Sequence, residues 1–232
     1  MRRGPKPRGH IKTAWSVEFA YAVGLFVADG CLQKNGRHLN FTSKDKAQVA
    51  LFQKCLGLKT KLGVKYSGSG NLAYQSQFGD VALYRFLEEV GLKPAKSKTL
   101  GSLKIPAEYF VDFVRGYFDG DGCSFSYYDP VFKNSFRFYI SFASASPEYL
   151  LWLQKTLFKK LGIRGYISPY KGRPYYQLRY AKKESIVLSE NMYYRTGVPH
   201  LRRKYLKIQK ALRVIDGKRR SGEIGRRATF RS

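Results

Sequence analysis

The stretch VRGYFDGDG at residues 114–122 decides how this chain folds, because residues 22–30 repeat its pattern as AVGLFVADG. Both segments place glycine third, then aspartate and glycine eighth and ninth. Most of the other positions are apolar, as in a helix that is buried against another helix. A pattern that occurs twice along a chain indicates a duplicated half, so we predict that the two copies meet at a pseudo-two-fold axis.

The glycines of the repeated segment are predicted to have two different roles. Gly24 and Gly116 fall in the middle of a helix, where glycine costs about 1 kcal/mol relative to alanine. That cost is explained if the two helices cross so closely that a β-carbon would clash. Gly30 and Gly122 follow the aspartates, and glycine is typical of the turn that ends a helix.

The two motif aspartates, Asp29 and Asp121, should then emerge together at the end of the helix pair. Two carboxylates in one place repel each other unless a cation or a proton intervenes. A Mg²⁺ ion prefers carboxylate and water oxygens, and such an ion can activate water and neutralise charge on a phosphate. The alternative is that each aspartate only ends its helix. Two copies in register on a basic chain disfavour this alternative.

The composition indicates a nucleic-acid partner. The chain has 232 residues, 44% of them hydrophobic, and a formal net charge of +27. A folded protein with this much positive charge usually binds a polyanion. A membrane surface is the other polyanionic partner, but no basic amphipathic helix stands out.

The cysteines and the termini bear on the cellular compartment. Three cysteines without a CxxC pair or a Cys/His cluster argue against zinc, and their odd number favours free thiols in a reducing compartment. The longest apolar run is too short to span a bilayer, and the N-terminus lacks the apolar segment of a signal peptide. We therefore expect an intracellular protein, in the cytoplasm, nucleoid or an organelle matrix, without membrane association.

Hydrophobic periodicity predicts the order α-β-β-α-β-β-α in each half. Matches outside the motifs support this repeat, since Ser43 aligns with Ser144 and Gly91 with Gly197. The predicted divisions are a basic flexible arm (1–13), an N-terminal half-domain (14–92), a linker (93–107), a C-terminal half-domain (108–215) and a basic disordered tail (216–232).

The motif pair and the repeated element order resemble the LAGLIDADG homing endonucleases in their single-chain, two-motif form, over about residues 15–213. The second motif has Asp119 at its sixth place, whereas the first departs from the pattern with Val27. The resemblance implies an α+β fold in which two four-stranded antiparallel sheets form a saddle, with the motif helices packed at the interface. It also implies a monomer that cleaves double-stranded DNA at a specific site with a divalent metal and leaves short 3′ overhangs.

Metal and catalytic residues follow from the resemblance by position. Asp29 and Asp121 would bind Mg²⁺ with the backbone carbonyls of Ala28 and Gly120. Members place a polar residue near the attacking water and a basic residue after the last helix of each half. Alignment through the paired serines and glycines assigns these roles to Asn40 and Ser141, and to Lys98 and Lys204. The alternative for the lysines is an ordinary phosphate contact.

The saddle would read DNA through the outward side chains of its strands, because two-stranded ribbons fit the major groove. Strand alternation selects the outward residues. In the N-terminal half they are Gln33, Asn35, His38, Lys65, Ser67, Gln75 and Gln77, and in the C-terminal half Arg137, Tyr139, Tyr166, Ser168, Tyr170, Tyr175, Gln177 and Arg179. Arg37 and Arg173 are expected to bind DNA through its phosphates. Residues 124–128 do not alternate cleanly, and their aromatic side chains are expected in the core.

Two other functions fit the same fold. An intron RNA maturase could keep the acids and act by binding structured RNA. A DNA-binding regulator could have lost cleavage, although a pure binder has no need for paired aspartates. The sequence leaves the maturase open and disfavours the regulator.

Overall fold

The structure is a computed structural model that describes residues 10–66 and 70–229, with the backbone alone for 218–229. The helices in these residues are α1 (Val17–Asp29), α2 (Lys46–Leu56), α3 (Val81–Val90), α4 (Phe110–Asp121), α5 (Pro147–Leu161), α6 (Lys182–Met192) and α7 (Arg202–Thr229). The strands are β1 (Gly30–Leu32), β2 (His38–Ser43), β3 (Gly63–Tyr66), β4 (Leu72–Gly79), β5 (Gly122–Tyr128), β6 (Phe136–Ser144), β7 (Tyr166–Pro169) and β8 (Tyr176–Tyr180).

The strands form two separate antiparallel sheets with the same topology. Their orders are β1-β2-β4-β3 and β5-β6-β8-β7. The element order α-β-β-α-β-β-α therefore occurs twice before α7 begins. This architecture confirms the predicted fold class.

Local sequence signals set several helix ends. The Ser16 side chain accepts a hydrogen bond from the Phe19 amide at 3.1 Å and begins α1, and Asp45 accepts from Ala47 and begins α2. An N-cap oxygen of this kind satisfies one amide that the helix leaves unpaired. At the other end of α2, Gly57 has φ of 67°, a left-handed conformation that glycine adopts without a β-carbon penalty.

Helices α1 and α4 cross through their glycines. A β-carbon on Gly24 would overlap the carbonyl oxygen of Phe113, and one on Gly116 would overlap the carbonyl oxygen of Tyr21. Both neighbours are backbone atoms of the opposite helix, so neither can move aside cheaply. The predicted close crossing is confirmed, and it brings the C-terminal ends of the two helices together.

The prediction of a glycine helix-end turn at Gly30 and Gly122 was wrong in its reason. Both residues are extended, with φ of −89° in each case. A β-carbon there would collide with the ring of Phe26 or of Phe118, four residues back in the preceding helix. Glycine is needed for space beneath these rings, and the chain passes directly from helix into strand.

Strand alternation gives each sheet one buried face and one open face. In β2, Leu39 and Phe41 are fully buried beneath the helices, while His38 and Asn40 are only half-buried. Phe41 stacks on Phe52 of α2 with ring centroids 4.2 Å apart. The apolar side chains of β6 are buried in the same way, so the open faces are available to a ligand.

Two terminal predictions need correction. The flexible arm was assigned to 1–13, and its residues 1–9 lie outside the described part of the chain. The amides of His10 and Ile11 donate to Asp80 Oδ2 at 2.7 and 3.1 Å, so these two residues are docked at the start of α3.

The disordered tail was assigned to 216–232, but α7 continues to Thr229; only 230–232 fall outside the described residues. Periodicity was judged from the hydrophobic pattern, which fades where the sequence becomes basic, whereas the helical backbone continues. Within the described residues no helix combines the length and the apolar character needed to cross a membrane.

Candidate active site and nucleic-acid interface

Asp29 and Asp121 are the last residues of α1 and α4, and the glycine crossing brings them to one place. A β-carbon on Gly120 would lie 3.2 Å from Asp29 Oδ2 and would overlap the side chain of Ala28. Residue 120 must therefore be small for the Asp29 carboxylate to reach the end of α4. The predicted convergence of the two motif ends is observed.

The Asp29 carboxylate affects the protonation of Asp121. Burial and, to a smaller extent, the negative charge of Asp29 together raise the pKa of Asp121 to about 6. Asp121 keeps solvent-exposed surface, so its carboxyl is enclosed by protein on one side and open on the other. Burial also raises the pKa of Asp29, against the effect of a hydrogen bond from Gln48.

Gln48 is a site residue that the sequence did not reveal. It is buried near the start of α2, and its Nε2 donates to Asp29 Oδ2 at 2.7 Å. Ser43 Oγ donates to Gln48 Oε1 at 2.8 Å and fixes the amide orientation. The alignment of Ser43 with Ser144 puts Tyr149 at the equivalent place of the second half, so the two aspartates have different neighbours.

Two lysines cap the ends of the motif helices. Lys204 Nζ donates to the carbonyls of Phe118 at 2.7 Å, Gly120 at 3.1 Å and Gly122 at 2.7 Å. A positive charge is favourable at a helix C-terminus, where carbonyls lack helical partners. Burial lowers the pKa of Lys204 to about 8, close to neutrality.

In the first half the lysine that contacts the helix end is Lys96, and not Lys98 as predicted. Lys96 is buried, and its Nζ donates to the Gly30 carbonyl, whereas Lys98 is exposed. Burial lowers the pKa of Lys96, while the charges of Asp121 and Asp29 oppose that shift.

Local backbone geometry explains the error. Ala95 has φ of 55°, and the tight 3-10 turn Lys96–Lys98 follows it. The matching segment of the second half leads into the α-helix α7, so equal spacing from Gly91 and Gly197 does not give equal positions. The two lysines therefore reach equivalent helix ends from different spacings.

Asp119 links the motif helices to the element that carries Lys204. Its Oδ2 accepts from the Tyr21 hydroxyl and from the Leu201 amide, both at 2.7 Å. The side chain is fully buried, and burial raises the pKa of Asp119. Tyr21 belongs to α1 and Leu201 precedes α7, so this acid at the sixth motif place positions α7 against the helix pair.

The two residues assigned to the attacking water differ in accessibility. Asn40 lies on the open face of β2 opposite Gln77, and its Oδ1 accepts from the Thr42 hydroxyl at 3.3 Å. Ser141 holds the matching register place on β6, but it is buried, and its Oγ is 3.5 Å from the Cys123 carbonyl. Ser141 therefore presents little polar surface to a ligand.

The oxygen donors of this site suit a hard divalent cation. Two carboxylates with like charges repel each other, and a bound cation relieves that repulsion. Because Mg²⁺ retains several waters, few protein ligands are needed. No cluster of three or more His, Cys, Asp and Glu side chains occurs among the described residues. Backbone oxygens would complete the set; Gly120 O already accepts one lysine bond, and Ala28 lies in the last turn of α1.

The strand residues assigned to DNA reading mostly lie on the open faces. Cross-strand register groups Asn40 with Gln77 in the first sheet, and Arg179 with Ser141 and Tyr166 in the second. The same faces, or the exposed loops beside them, hold the other assigned residues: Gln33, Arg37, His38, Lys65, Gln75, Arg137, Tyr139, Ser168, Tyr170, Arg173, Tyr175 and Gln177. Ser67 lies outside the described residues.

Some assigned readers are engaged within the protein. The Asn35 side-chain oxygen accepts from the amides of Arg37 and His38, and so holds the turn of the first hairpin. Arg137 makes two contacts to Asp129, at 3.0 Å from Nε and 2.9 Å from its terminal nitrogen.

The aromatic residues of β5 were expected in the core, but Tyr128 is 52% exposed, and Phe125 and Tyr127 also lie outside the core. They pair with Tyr139 and Arg137 across β6, which places them on the open face. Ser124 and not an aromatic residue supplies the buried position between them and the motif. With polar and aromatic residues on both faces, the strand shows no hydrophobic contrast from which the facing could be read.

The C-terminal half also matches a known family by sequence. Residues 108–190 match the model of the LAGLIDADG-like domain. No match was found among the curated proteins. The LAGLIDADG-like domain thus contains α4, the second sheet and most of α6.

Solved structures extend the likeness to both halves. I-WcaI bound to its DNA recognition sequence has a TM-score of 0.59 at 14% identity, over 84% of this chain and 88% of that one. I-DmoI in complex with DNA and Ca has a TM-score of 0.53 at 17% identity, over 79% and 93%. Full-length DUF199/WhiA from Thermatoga maritima has a TM-score of 0.57 at 15% identity, over 97% and 74%. This chain therefore has the two-half LAGLIDADG fold.

Proposed function

We propose that this protein is a site-specific DNA endonuclease that hydrolyses both strands of a long duplex target in a Mg²⁺-dependent reaction and leaves short 3′ overhangs. One observation carries the proposal: Asp29 and Asp121 converge at the ends of crossed helices, where the two open sheet faces begin. DNA-bound LAGLIDADG endonucleases share the fold. Both acids come from one chain, so the proposed enzyme acts as a monomer, and its free cysteines fit a reducing, intracellular compartment.

The duplex would lie along the open faces of the two sheets. Amides and guanidinium groups are the side chains that distinguish adenine and guanine in the major groove. Gln75, Gln77 and Gln177 supply such groups, and exposed Lys and Arg side chains supply phosphate contacts that position the duplex. The scissile phosphates would then face the motif ends.

The residues at the motif ends have complementary roles in the proposed reaction. Asp29 and Asp121 would hold Mg²⁺, which supplies Lewis acidity and a more acidic water when bound. Lys96 and Lys204 lie at the ends of the same helices and would stabilise negative charge that develops on the phosphate. Lys204, with a pKa near 8, can also exchange a proton near neutral pH.

Cleavage of the uninterrupted host-gene junction tests the proposal. A duplex that joins the sequences flanking this gene's intervening segment is incubated with the protein in Mg²⁺ and in EDTA. We expect cutting of both strands in Mg²⁺ alone, with short 3′ overhangs. Asp29→Asn and Asp121→Asn should each abolish it, because the change removes a carboxylate without a change in size.

Asp216→Asn is the matched control, since Asp216 is an exposed aspartate on α7 away from the motif ends. Specific duplex binding without cutting in any divalent metal would contradict the enzyme and favour the regulator. Tight binding to the host intron RNA in place of the duplex would favour the maturase.

A further inference from the structure

The open face of the C-terminal sheet carries a stack of three aromatic rings. Phe125 and Tyr139 lie opposite each other with centroids 5.0 Å apart and an interplanar angle of 20°, and Tyr127 continues the stack at 6.3 Å and 21°. The Arg179 guanidinium lies over Phe125 and Tyr139, 5.5 and 5.9 Å from the ring centroids. We call Phe125, Tyr127, Tyr139 and Arg179 the ring bank.

The ring bank ends at solvent. Tyr127, at one end of the stack, is 46% exposed, and Tyr166, opposite Arg179 in the register, is 72% exposed. Exposed aromatic surface of this extent, concentrated on one face, is typical of an interaction site. The stack therefore leaves ring surface for a further planar group.

The N-terminal sheet has no such feature at the equivalent positions. The motif alignment pairs Phe125 with Gln33 and Tyr127 with Asn35, and the serine alignment pairs Tyr139 with His38. The two open faces thus differ in kind: one presents mainly amides, the other aromatic rings. Pseudo-symmetry of the backbone does not extend to the ligand chemistry.

The two arginines around the ring bank already make hydrogen bonds within the protein. Arg137 makes both of its contacts to Asp129, and Arg179 donates to Gln177 Oε1 at 2.8 Å. Reading base-pair edges in a groove requires free donors and acceptors. In a duplex the base faces are covered by neighbouring pairs, so aromatic rings gain little from an intact double helix.

Unpaired bases present the faces that a duplex hides. Stacking of a base on an aromatic side chain contributes about 1–3 kcal/mol per base and does not depend on sequence. Arginine beside the rings and the net charge of +27 complement the phosphates of a strand. The proposed function places DNA on these sheet faces. The choice of DNA as the bound single strand therefore rests on the proposed function.

We propose that the ring bank binds single-stranded DNA, with unpaired bases stacked on the exposed end of the ring stack. The site competes with duplex for the C-terminal open face. Binding needs neither metal nor cleavage.

Fluorescence anisotropy in EDTA tests the site with a labelled oligodeoxyadenylate of about 12 nucleotides. The ionic strength is raised until the phosphate contribution is small, because stacking is insensitive to salt. We expect Tyr127→Leu to weaken binding about tenfold and Tyr127→Trp to retain it, since tryptophan restores a stacking surface. Tyr66→Leu, at a tyrosine of β3 that is 68% exposed, is the matched control and should bind like the wild type.

Three results would overturn the proposal: Tyr127→Leu within twofold of the control, failure of Tyr127→Trp to restore binding, or tighter binding of the matching oligoriboadenylate, which would reassign the site to RNA. Thermal unfolding of each variant verifies the fold. Because the assay contains no divalent metal, its outcome is separate from that of the cleavage experiment.

Discussion

At the scale of single residues, Lys96 and Lys98 give the sharpest contrast. Lys96 is buried against the end of α1, whereas Lys98 is exposed. We expect Lys96→Met to slow single-turnover cleavage about 100-fold, the loss typical of a group that stabilises developing charge. Lys98→Met should change it less than about twofold. Equal losses in the two variants would contradict the placement of Lys96 at the site.

The carboxylate of Asp121 predicts how metal binding depends on pH. Its pKa is raised from 3.8 in the unfolded chain to about 6, so stability present below about pH 4 is lost as the pH rises through 6. In the proposed enzyme a divalent cation would bind the ionised pair and offset that loss. We therefore expect Mg²⁺ to raise the Tm of the DNA-free protein more at about pH 7.5 than at about pH 5.

Asp121→Asn is the decisive comparison for this pH dependence. The variant cannot ionise at residue 121, so the difference between the two pH values should largely disappear. A Mg²⁺ effect on Tm that is the same at both pH values in the wild type would argue against cation binding at Asp121.

The sequence predicted where single residues lie when the motif itself fixed their position, and it missed contacts that depend on tertiary packing. Asp29 and Asp121 follow from the repeat. Gln48 carries no local signal, because its contact with Asp29 depends on how α2 packs beside α1. Ser43, which holds Gln48, was the available clue, but the alignment used it only as a helix-start marker.

At the scale of elements, the crossing of α1 and α4 depends on missing side-chain atoms. Gly24→Ala puts a β-carbon onto backbone atoms of α4, and relief requires the helices to separate. We expect a loss of at least about 1–3 kcal/mol in the free energy of unfolding, as for overpacked cores. Urea denaturation measures it, with Gly101→Ala as the control because a β-carbon there meets open space. Equal stability of the two variants would refute the close crossing.

The order of helices and strands could be predicted because hydrophobic periodicity and turn residues agree along most of the chain. The direction in which side chains point was predicted wrongly in β5, where the outward residues are aromatic and the hydrophobic pattern shows no contrast. The predictions for the two chain termini were wrong for a different reason. Docking of Ile11 beneath α3 is a long-range contact, and the helical extension of α7 has a basic composition that resembles a linker.

At the scale of the whole molecule, the backbone is duplicated but the surroundings of the two motif aspartates are not. Gln48 donates to Asp29, whereas the equivalent place beside Asp121 holds Tyr149. A hydrogen bond to a charged group is worth about 1.5–3 kcal/mol. We therefore expect Gln48→Met to slow the cleavage of one DNA strand about tenfold or more. Nicked circles should accumulate when a supercoiled target plasmid is digested.

Gln209→Met on α7 provides the control for this experiment, because it makes the same side-chain change on a helix that carries neither motif aspartate. If linear product appears without a nicked intermediate in Gln48→Met, the two centres do not differ through this residue.

Each strand contributes alternate side chains to the core and to the open face, so no side chain belongs to both. Replacement of His38 or Gln77 alters what the surface offers to a ligand, while the neighbouring Leu39 and Phe78 continue to pack beneath the helices. Under the proposed function, a lineage of such proteins can drift towards new recognition sequences by point mutation without losing the ability to fold. The same separation makes the open faces a natural starting point for directed evolution.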